Sequence, residues 1–398
     1  MPLNSRILSP EVQAFIRSEQ AARLAVSGVF SSPFPGISPG ELAVQIKAHR
    51  RACEKLPSLA AVSGIVYPPG VSMEQCSGEA AARYKAGLVP RGELCADITG
   101  GLGVDTLALS ERFRQTEYYE TQTELAETAR HNFSVLQRPH IRVHTQDGIR
   151  SVLENGARYD LIYADPARRD AQARRVFSVS DCTPDIAAAK DRLLQCSPAL
   201  LVKLSPMLDI AATVRLFPET SQIHVVAVRG EVKELLFLLH RGHGEPPRMT
   251  AADLYPGREA RVFSAPLHDR APIATDVVRS YLYDPSAALR KAGLADAYCA
   301  ALGLRKLHPQ TLLYTGQEYH ADFQGRVFRS MGAADKKNIG RIFPERRASV
   351  AVRNYPGTAG EISRKYKLGE SDRYFLLAFR DREGRNTLLA AERVRDPF

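Results

Sequence analysis

Between Leu94 and Arg169 the chain reads from LCADITGGLGVDTLALS through to YDLIYADPARRD, and four short apolar runs in that stretch each end on or near an acid. The first, Leu94 to Thr99, carries Asp97; TEYYE ends in Glu120, HIRVHTQD in Asp147 and YDLIYAD in Asp165. Gly100, Gly101 and Gly103 follow the first run at once, and Val104, Leu107 and Ala108 then recur at helical spacing. Strand, glycine turn and helix in that order bring backbone close to a ligand at a helix N-terminus. Leu125, Ala129 and Phe133 mark another helix after Glu120. Open parallel sheets bind ligands at the carboxyl ends of their strands, so the four acids are expected to line one crevice.

The pattern continues. ALLVKLSP (199–206) reads as a fifth strand, followed by a helix through Ile210, Val214 and Leu216. QIHVVAVRG and ELLFLLHRG read as strands six and seven, an antiparallel hairpin separated by Glu231-Val232-Lys233. At these residues the chain resembles the class I S-adenosylmethionine-dependent methyltransferases. The resemblance implies an α/β fold with a Rossmann-like, seven-stranded core and S-adenosyl-L-methionine as cofactor. It implies that Asp97, Thr99, Gly100, Gly101, Gly103 and Asp105 hold the cofactor, Glu120 its ribose and Asp147 its adenine. Asp165 then faces the transferred methyl. Tyr84 and Lys85, just upstream of the first strand, are candidates to cover the cofactor, or else a core aromatic and a surface lysine. The alternative is a dinucleotide-binding domain, because Glu120 also suits an NAD ribose. That motif wants G-x-G-x-x-G, and Thr106 stands where its third glycine belongs.

Asp165-Pro166-Ala167-Arg168 occupies the place of the Asp/Asn-Pro-Pro-aromatic motif of enzymes that methylate exocyclic amines. It keeps the acid and the first proline and has arginine in place of the aromatic, so amine methylation stays open. Arg168 and Arg169 are expected to grip a phosphate or stack on a base, or else to pair with neighbouring aspartates. Lys203, ending the fifth strand, faces the crevice as a candidate substrate contact, with a snorkelling lysine as the alternative.

Residues 1–88 read as a helical region. Ser9-Pro10 opens a helix carrying Val12, Phe15, Ile16, Ala22 and Leu24, and Ser38-Pro39-Gly40-Glu41 is a capping box. The core is expected over 89–245, a linker and small α+β module over 246–330, and a basic domain over 331–398. In the module we expect a helix from Ala287 to Leu302, a strand from Thr311 to Tyr314 and another near Val327. Strand, helix, strand, turn and strand follow to the end. KLHPQTLLYTG, RVFRSMG and VAVRNYPGTAGEI resemble bacterial methyltransferases that join a class I core to ferredoxin-like and C-terminal THUMP-like domains. This resemblance runs from Met73 to the end and implies an RNA partner, tRNA or rRNA.

Charge points the same way. The net charge is +10, and from Arg326 onward 17 Lys/Arg face 9 Asp/Glu, so +8 of it lies there. Such a basic segment suits a polyanion, or else forms a solvated face. Six cysteines without regular spacing argue against a zinc site or disulfide framework and suit a reducing cytoplasm. No stretch reads as a membrane span or a signal peptide. The leading expectation is an RNA methyltransferase. The alternatives are an RNA-binding protein with an inactive core, and a methyltransferase for protein or small molecules.

Overall fold

The apolar runs become strands β1 (Gly92–Asp97), β2 (Phe113–Tyr119), β3 (Ile141–His144) and β4 (Leu161–Ala164), each followed by a helix or a turn. The computed structural model describes residues 4–21, 23, 31–68, 72–168, 182–267 and 272–395. After β4 come two-residue strands, β5 (Ala167–Arg168) and β6 (Cys182–Thr183), and then β7 (Ala199–Leu204). The chain forms two units, residues 1–221 with 236–245, and residues 222–235 with 246–398.

In the first unit β7, β4, β1, β2 and β3 lie side by side in that order, every pair parallel. Sequence order reverses between β1 and β4, which opens a crevice there at the strand ends. The strands are buried on both faces; Cys95, Ala96, Ile162, Leu200 and Val202 are wholly inaccessible. The N-terminal helices belong to this unit. Ser38 caps the helix Pro39–Lys55 as expected: the Glu41 N–H donates to Ser38 Oγ at 3.2 Å and the Ser38 N–H to Glu41 Oε2 at 2.8 Å. The helix that Ser9 opens covers only Pro10–Ile16, and Ala22 and Leu24 lie outside the described residues. Asn132 fastens the N-terminal segment to the core by exchanging hydrogen bonds with the backbone of Val66 at 2.9 and 3.0 Å.

The strands β8 (Thr220–Val228) and β9 (Glu231–His240) are joined at Arg229 and Gly230, with φ of 51° and 81°. The turn therefore precedes Glu231 rather than occupying Glu231 to Lys233. Two strands beyond the expected seven follow, β10 (Arg248–Leu254), which runs parallel to β8, and β11 (Arg261–Pro266), antiparallel to β10.

The second unit also holds a seven-stranded sheet. Its strands are β12 (Tyr281–Pro285), β13 (Arg305–His308), β14 (Thr311–Gly316), β15 (Gly325–Ala333), β16 (Ser349–Arg353), β17 (Tyr374–Arg380) and β18 (Asn386–Arg395). They are ordered β13-β14-β12-β15-β18-β17-β16, so the boundary expected at 330/331 falls inside β15 and one sheet spans it. The single helix expected from Ala287 to Leu302 is two, Ala287–Lys291 and Ala295–Ala301, because Gly293 sits between them at φ +71°. Period-two alternation decides which side of this sheet is which. Leu376, Ala378, Leu388 and Ala390 pack under the helices Ile339–Ile342 and Ala359–Tyr366, while Phe375, Leu377, Phe379, Leu389 and Ala391 face the other core. Among the described residues no helix is long and apolar enough to cross a membrane.

Candidate active site

The carboxyl ends of β1, β2 and β4 enclose a cavity of about 400 Å³, within the usual range for small-molecule sites. Asp97, Thr99, Gly100, Gly101, Gly103, Asp105, Glu120, Asp147 and Asp165 all line it. The sequence therefore located one crevice from four separate acids.

The three glycines serve different needs. A Cβ on Gly100 would come within 2.2 Å of the Tyr118 ring, and one on Gly103, at φ +78°, within 2.6 Å of Phe133. Gly101 is at φ +54°, and a Cβ there would meet nothing nearer than the Thr99 carbonyl at 3.8 Å. Gly100 and Gly103 thus let the turn sit on aromatic side chains, and Gly101 lets it bend beside the cavity. Glu120 holds the bend: its Oε2 accepts from the Gly101 N–H at 2.9 Å and its Oε1 from the Gln122 N–H at 2.8 Å. Tyr118 adds a hydroxyl donated to the Gly101 carbonyl at 2.6 Å.

Asp97 is buried at the end of β1. It accepts from the Thr106 hydroxyl at 2.6 Å and from the Thr99 N–H at 3.0 Å. Burial outweighs these bonds and raises its carboxyl to about 7. Asp147 lies three residues beyond the end of β3 and is exposed, where it caps the helix Gly148–Glu154 by accepting from the Arg150 N–H at 3.0 Å. It still lines the cavity.

Asp165 follows β4, its N–H donated to the Thr99 hydroxyl at 2.6 Å and its Oδ2 in direct contact with Lys203 Nζ. Burial raises its carboxyl against the lowering effect of Lys203. Lys203 also lies 3.7 Å from Asp105 Oδ2 and donates to Ser77 Oγ at 3.2 Å. Asp105 is the hub. Lys85 Nζ stands 3.1 Å from its Oδ1, and its Oδ2 accepts from Ser77 Oγ at 2.8 Å and from the Tyr163 hydroxyl at 2.7 Å. Burial would raise Asp105, but Lys85 and then Lys203 overcome it and hold the group below the usual carboxylate range.

Some expected residues sit elsewhere. Lys85 is neither a surface lysine nor part of the cavity wall: its side chain is 0% exposed, sealed against Asp105 and Ser77. Tyr84 and the buried Pro166 are likewise off the wall. Lys203 reaches the cavity through Asp165. Arg168 has its backbone in β5, its side chain lies outside the described residues, and so does all of Arg169. Sequence reasoning missed Ser77, Tyr163 and Thr106. The first two carry no periodic signal, whereas Thr106 stood out only as a departure from the dinucleotide motif. Among the described residues no group of three or more His, Cys, Asp or Glu is placed to hold a metal ion, and all six cysteines are free thiols.

The donor set fits a cationic, hydroxyl-bearing ligand. Glu120 and Asp147 offer acceptor oxygens at the outer wall, Asp97 lies beneath the turn, and the glycine bend brings backbone to the surface.

Residues 281–323 match a family model described as a ferredoxin-like domain. Two Mycobacterium tuberculosis proteins, from strains CDC 1551 / Oshkosh and H37Rv, are 26% identical over 274 residues, 68% of this chain and 72% of theirs. Each is described as an uncharacterized S-adenosylmethionine-dependent methyltransferase. A crystal structure from Porphyromonas gingivalis W83, described as a candidate methyltransferase, matches with a TM-score of 0.83 at 29% identity, over 99% of this chain and 100% of that one. Together with the fold, these similarities support an S-adenosylmethionine-dependent methyltransferase, with a ferredoxin-like domain in its C-terminal part.

Proposed function

We propose that the protein methylates RNA, a tRNA or rRNA, in the cytoplasm, using the β1–β4 cavity for transfer and the helical layer of residues 331–398 as a THUMP-like, phosphate-contacting surface. In this reading Gly101, Glu120, Asp97 and Asp147 hold the cofactor, which when bound supplies an electrophilic methyl on a sulfonium. Glu120 orients the ribose end, while Asp165, locked by Lys203 and Thr99, fixes the acceptor in line with the methyl. Orientation and exclusion of water are the protein's principal tasks in such a displacement.

The observation that carries the RNA reading is uncompensated charge. Arg341, Arg346, Arg347, Arg364, Lys365 and Lys367 are all exposed, and none has an ion pair among the described residues. They lie on or beside two helices whose apolar sides, Ile339, Phe343, Ile362 and Leu368, pack on the same face of the β17–β18 sheet. Arg346 ties the two together through the Tyr366 carbonyl at 3.1 Å. Arg353, one of the 17 Lys/Arg from Arg326 onward, is not part of this surface, because it pairs with Asp284.

Each phosphate neutralised releases counterions, so RNA affinity is expected to fall steeply with salt. Replacing Arg341, Arg364 and Lys365 together by glutamine should flatten the slope of log affinity against log salt by about 0.7 to 0.9 for each phosphate no longer neutralised. RNA binding measured across a salt series checks this. Equal slopes for the two proteins would make the charges a solvated face and favour a protein or small-molecule acceptor.

A further inference from the structure

We infer that Ser77 is a positioning residue for methyl transfer: its buried hydroxyl fixes the ammonium of Lys203, and through it the carboxylate of Asp165. This rests on the reading that Asp165 meets the acceptor, and it says what holds that carboxylate in place.

Ser77 belongs to the segment ahead of the first strand. It lies between the helices Ser72–Gln75 and Glu79–Gly87 and, with Gln75 and Cys76, lines the β1–β4 cavity. The residue is 6% exposed, so its hydroxyl needs partners within the protein. It has three. Ser77 Oγ donates to Asp105 Oδ2 at 2.8 Å and accepts from Lys85 Nζ at 2.9 Å and from Lys203 Nζ at 3.2 Å. One donor and two lone pairs are all that a serine hydroxyl has. Their directions are fixed as well. An ammonium only donates and a carboxylate only accepts, so the hydroxyl takes a bond from each lysine and gives its proton to Asp105.

Lysine is a point charge on a flexible stem, and its place is set by the acceptors around it. Those of Lys203 come from three separate elements. Asp165 follows β4, Ser77 precedes the helix Glu79–Gly87, and Asp105, 3.7 Å away, sits on the helix Val104–Ser110. Thr99 holds the Asp165 backbone through its N–H, whereas Lys203 holds the carboxylate itself. Ser77 is the neutral member of the set. Removing its hydroxyl therefore loosens Lys203 without changing any charge. The charged groups that act on Asp165 are Lys203, Asp105, Lys85 and Asp97. Burial raises the Asp165 carboxyl and Lys203 is the foremost influence lowering it. A loosened Lys203 lowers it less, so Asp165 takes up its proton at a higher pH.

The test uses the full-length protein, S-adenosylmethionine with a labelled methyl, and an extract of a strain lacking the gene as acceptor. Label is counted in the RNA, protein and small-molecule fractions. Ser77→Ala should slow transfer by about tenfold to a hundredfold, the scale of a small misplacement, with calorimetric cofactor affinity within a few-fold. The acid limb of its pH–rate profile should move to higher pH. Ser77→Thr restores the hydroxyl and should recover both the rate and the limb. Ser110→Ala removes another buried serine hydroxyl, bonded only to the Leu107 carbonyl at 2.8 Å, and should change neither. Ser77→Cys, judged by the same readouts, stands in if the alanine does not fold. A folded Ser77→Ala protein with the wild-type rate and pH profile overturns the inference. So does a rate loss matched by an equal loss of cofactor affinity, which would make Ser77 a part of the cofactor wall alone. Label in protein rather than RNA overturns the RNA reading, and Ser77 is then judged on that fraction. No label in any fraction while calorimetry shows the cofactor bound overturns both.

Discussion

Two buried aspartates, Asp105 and Asp284, each gather several cations, and the kind of cation separates the wall of a cavity from a structural joint. Asp105 in the first unit meets two lysines and two hydroxyls beside a cavity. Asp284, on β12 in the second unit and 3% exposed, meets three arginines: Arg290 at 3.2 Å, Arg326 at 2.6 Å and Arg353 at 2.9 Å. Arginine does not give up its proton, and its planar fork fixes geometry. The Asp284 cluster accordingly pins the helix Ala287–Lys291, β15 and β16 to one point of the sheet. Burial would raise Asp284, but Arg353, Arg326 and Arg290 outweigh it and hold the group low. Lysine is a compact ammonium that does yield its proton when its surroundings press on it. The Asp105 network ties two lysines to the cavity wall through Asp105 and Asp165.

Substitutions can break this contrast, the largest effect first. Asp165→Ala should lower kcat by roughly a hundredfold to ten-thousandfold while cofactor affinity changes only a few-fold, because in the proposed reading the carboxylate positions the acceptor rather than the cofactor. Steady-state kinetics beside calorimetry checks this; parallel losses in both would move Asp165 into the cofactor site. Asp284→Ala should leave cofactor affinity unchanged and destabilise the second unit by about 3–5 kcal/mol, the usual result of stranding buried charge. Denaturant unfolding followed beside cofactor titration separates the two effects. The same cluster sets a pH limit. The folded carboxyl of Asp284 is depressed, so its contribution is present above the ordinary carboxylate value of about 3.9 and is lost as pH falls through the lower folded value.

Glu120→Ala should weaken cofactor binding by about 1–3 kcal/mol, since it removes the anchor of the Gly101 N–H and, in the proposed reading, a ribose partner. Calorimetry showing no loss would place the ribose elsewhere. The smallest effect concerns Asp97, which burial raises to about 7. Its folded form keeps a proton that the unfolded chain releases at lower pH, so stability is greater below that value and declines as pH rises through it. A cation in the cavity favours the carboxylate, so binding near pH 7 should release a fraction of a proton. Calorimetry in buffers of different ionisation enthalpy measures it, and proton uptake would contradict the assignment.

Much of the site was legible because an open parallel sheet aligns the ends of its strands. Asp97, Glu120 and Asp165 could be placed on one crevice from their positions after apolar runs, and Asp147 joined them although it caps a helix. The lysines were harder to place. Lys85 sits in ARYKAG, where an amphipathic reading puts a lysine outside, and only Asp105, twenty residues on, makes its burial tolerable. Arg353 counted towards the basic segment because its partner Asp284 is remote in sequence and the intervening strands were incompletely read. YLYDP and RKLH are too short and too mixed to declare β12 and β13, and the boundary drawn at 330/331 hid that β15 continues through it. Gly101 and Gly103, read as a glycine turn, take positive φ in the structure. Gly100 was required instead by the ring of Tyr118, a contact no local pattern reveals.

The account stands first on the glycine bend beside the cavity, and isothermal titration of S-adenosylmethionine into wild-type and Gly101→Arg protein tests it most directly. Gly101 has open space around it but φ of +54°, so arginine there keeps the fold, strains the bend and projects into the cavity. The account predicts saturable one-site binding to the wild type and loss of at least about a hundredfold in affinity in the variant, with the unfolding midpoint little changed. Equal affinity for the two proteins, with both folded, would contradict it and place the cofactor away from the Asp97–Gly103 turn.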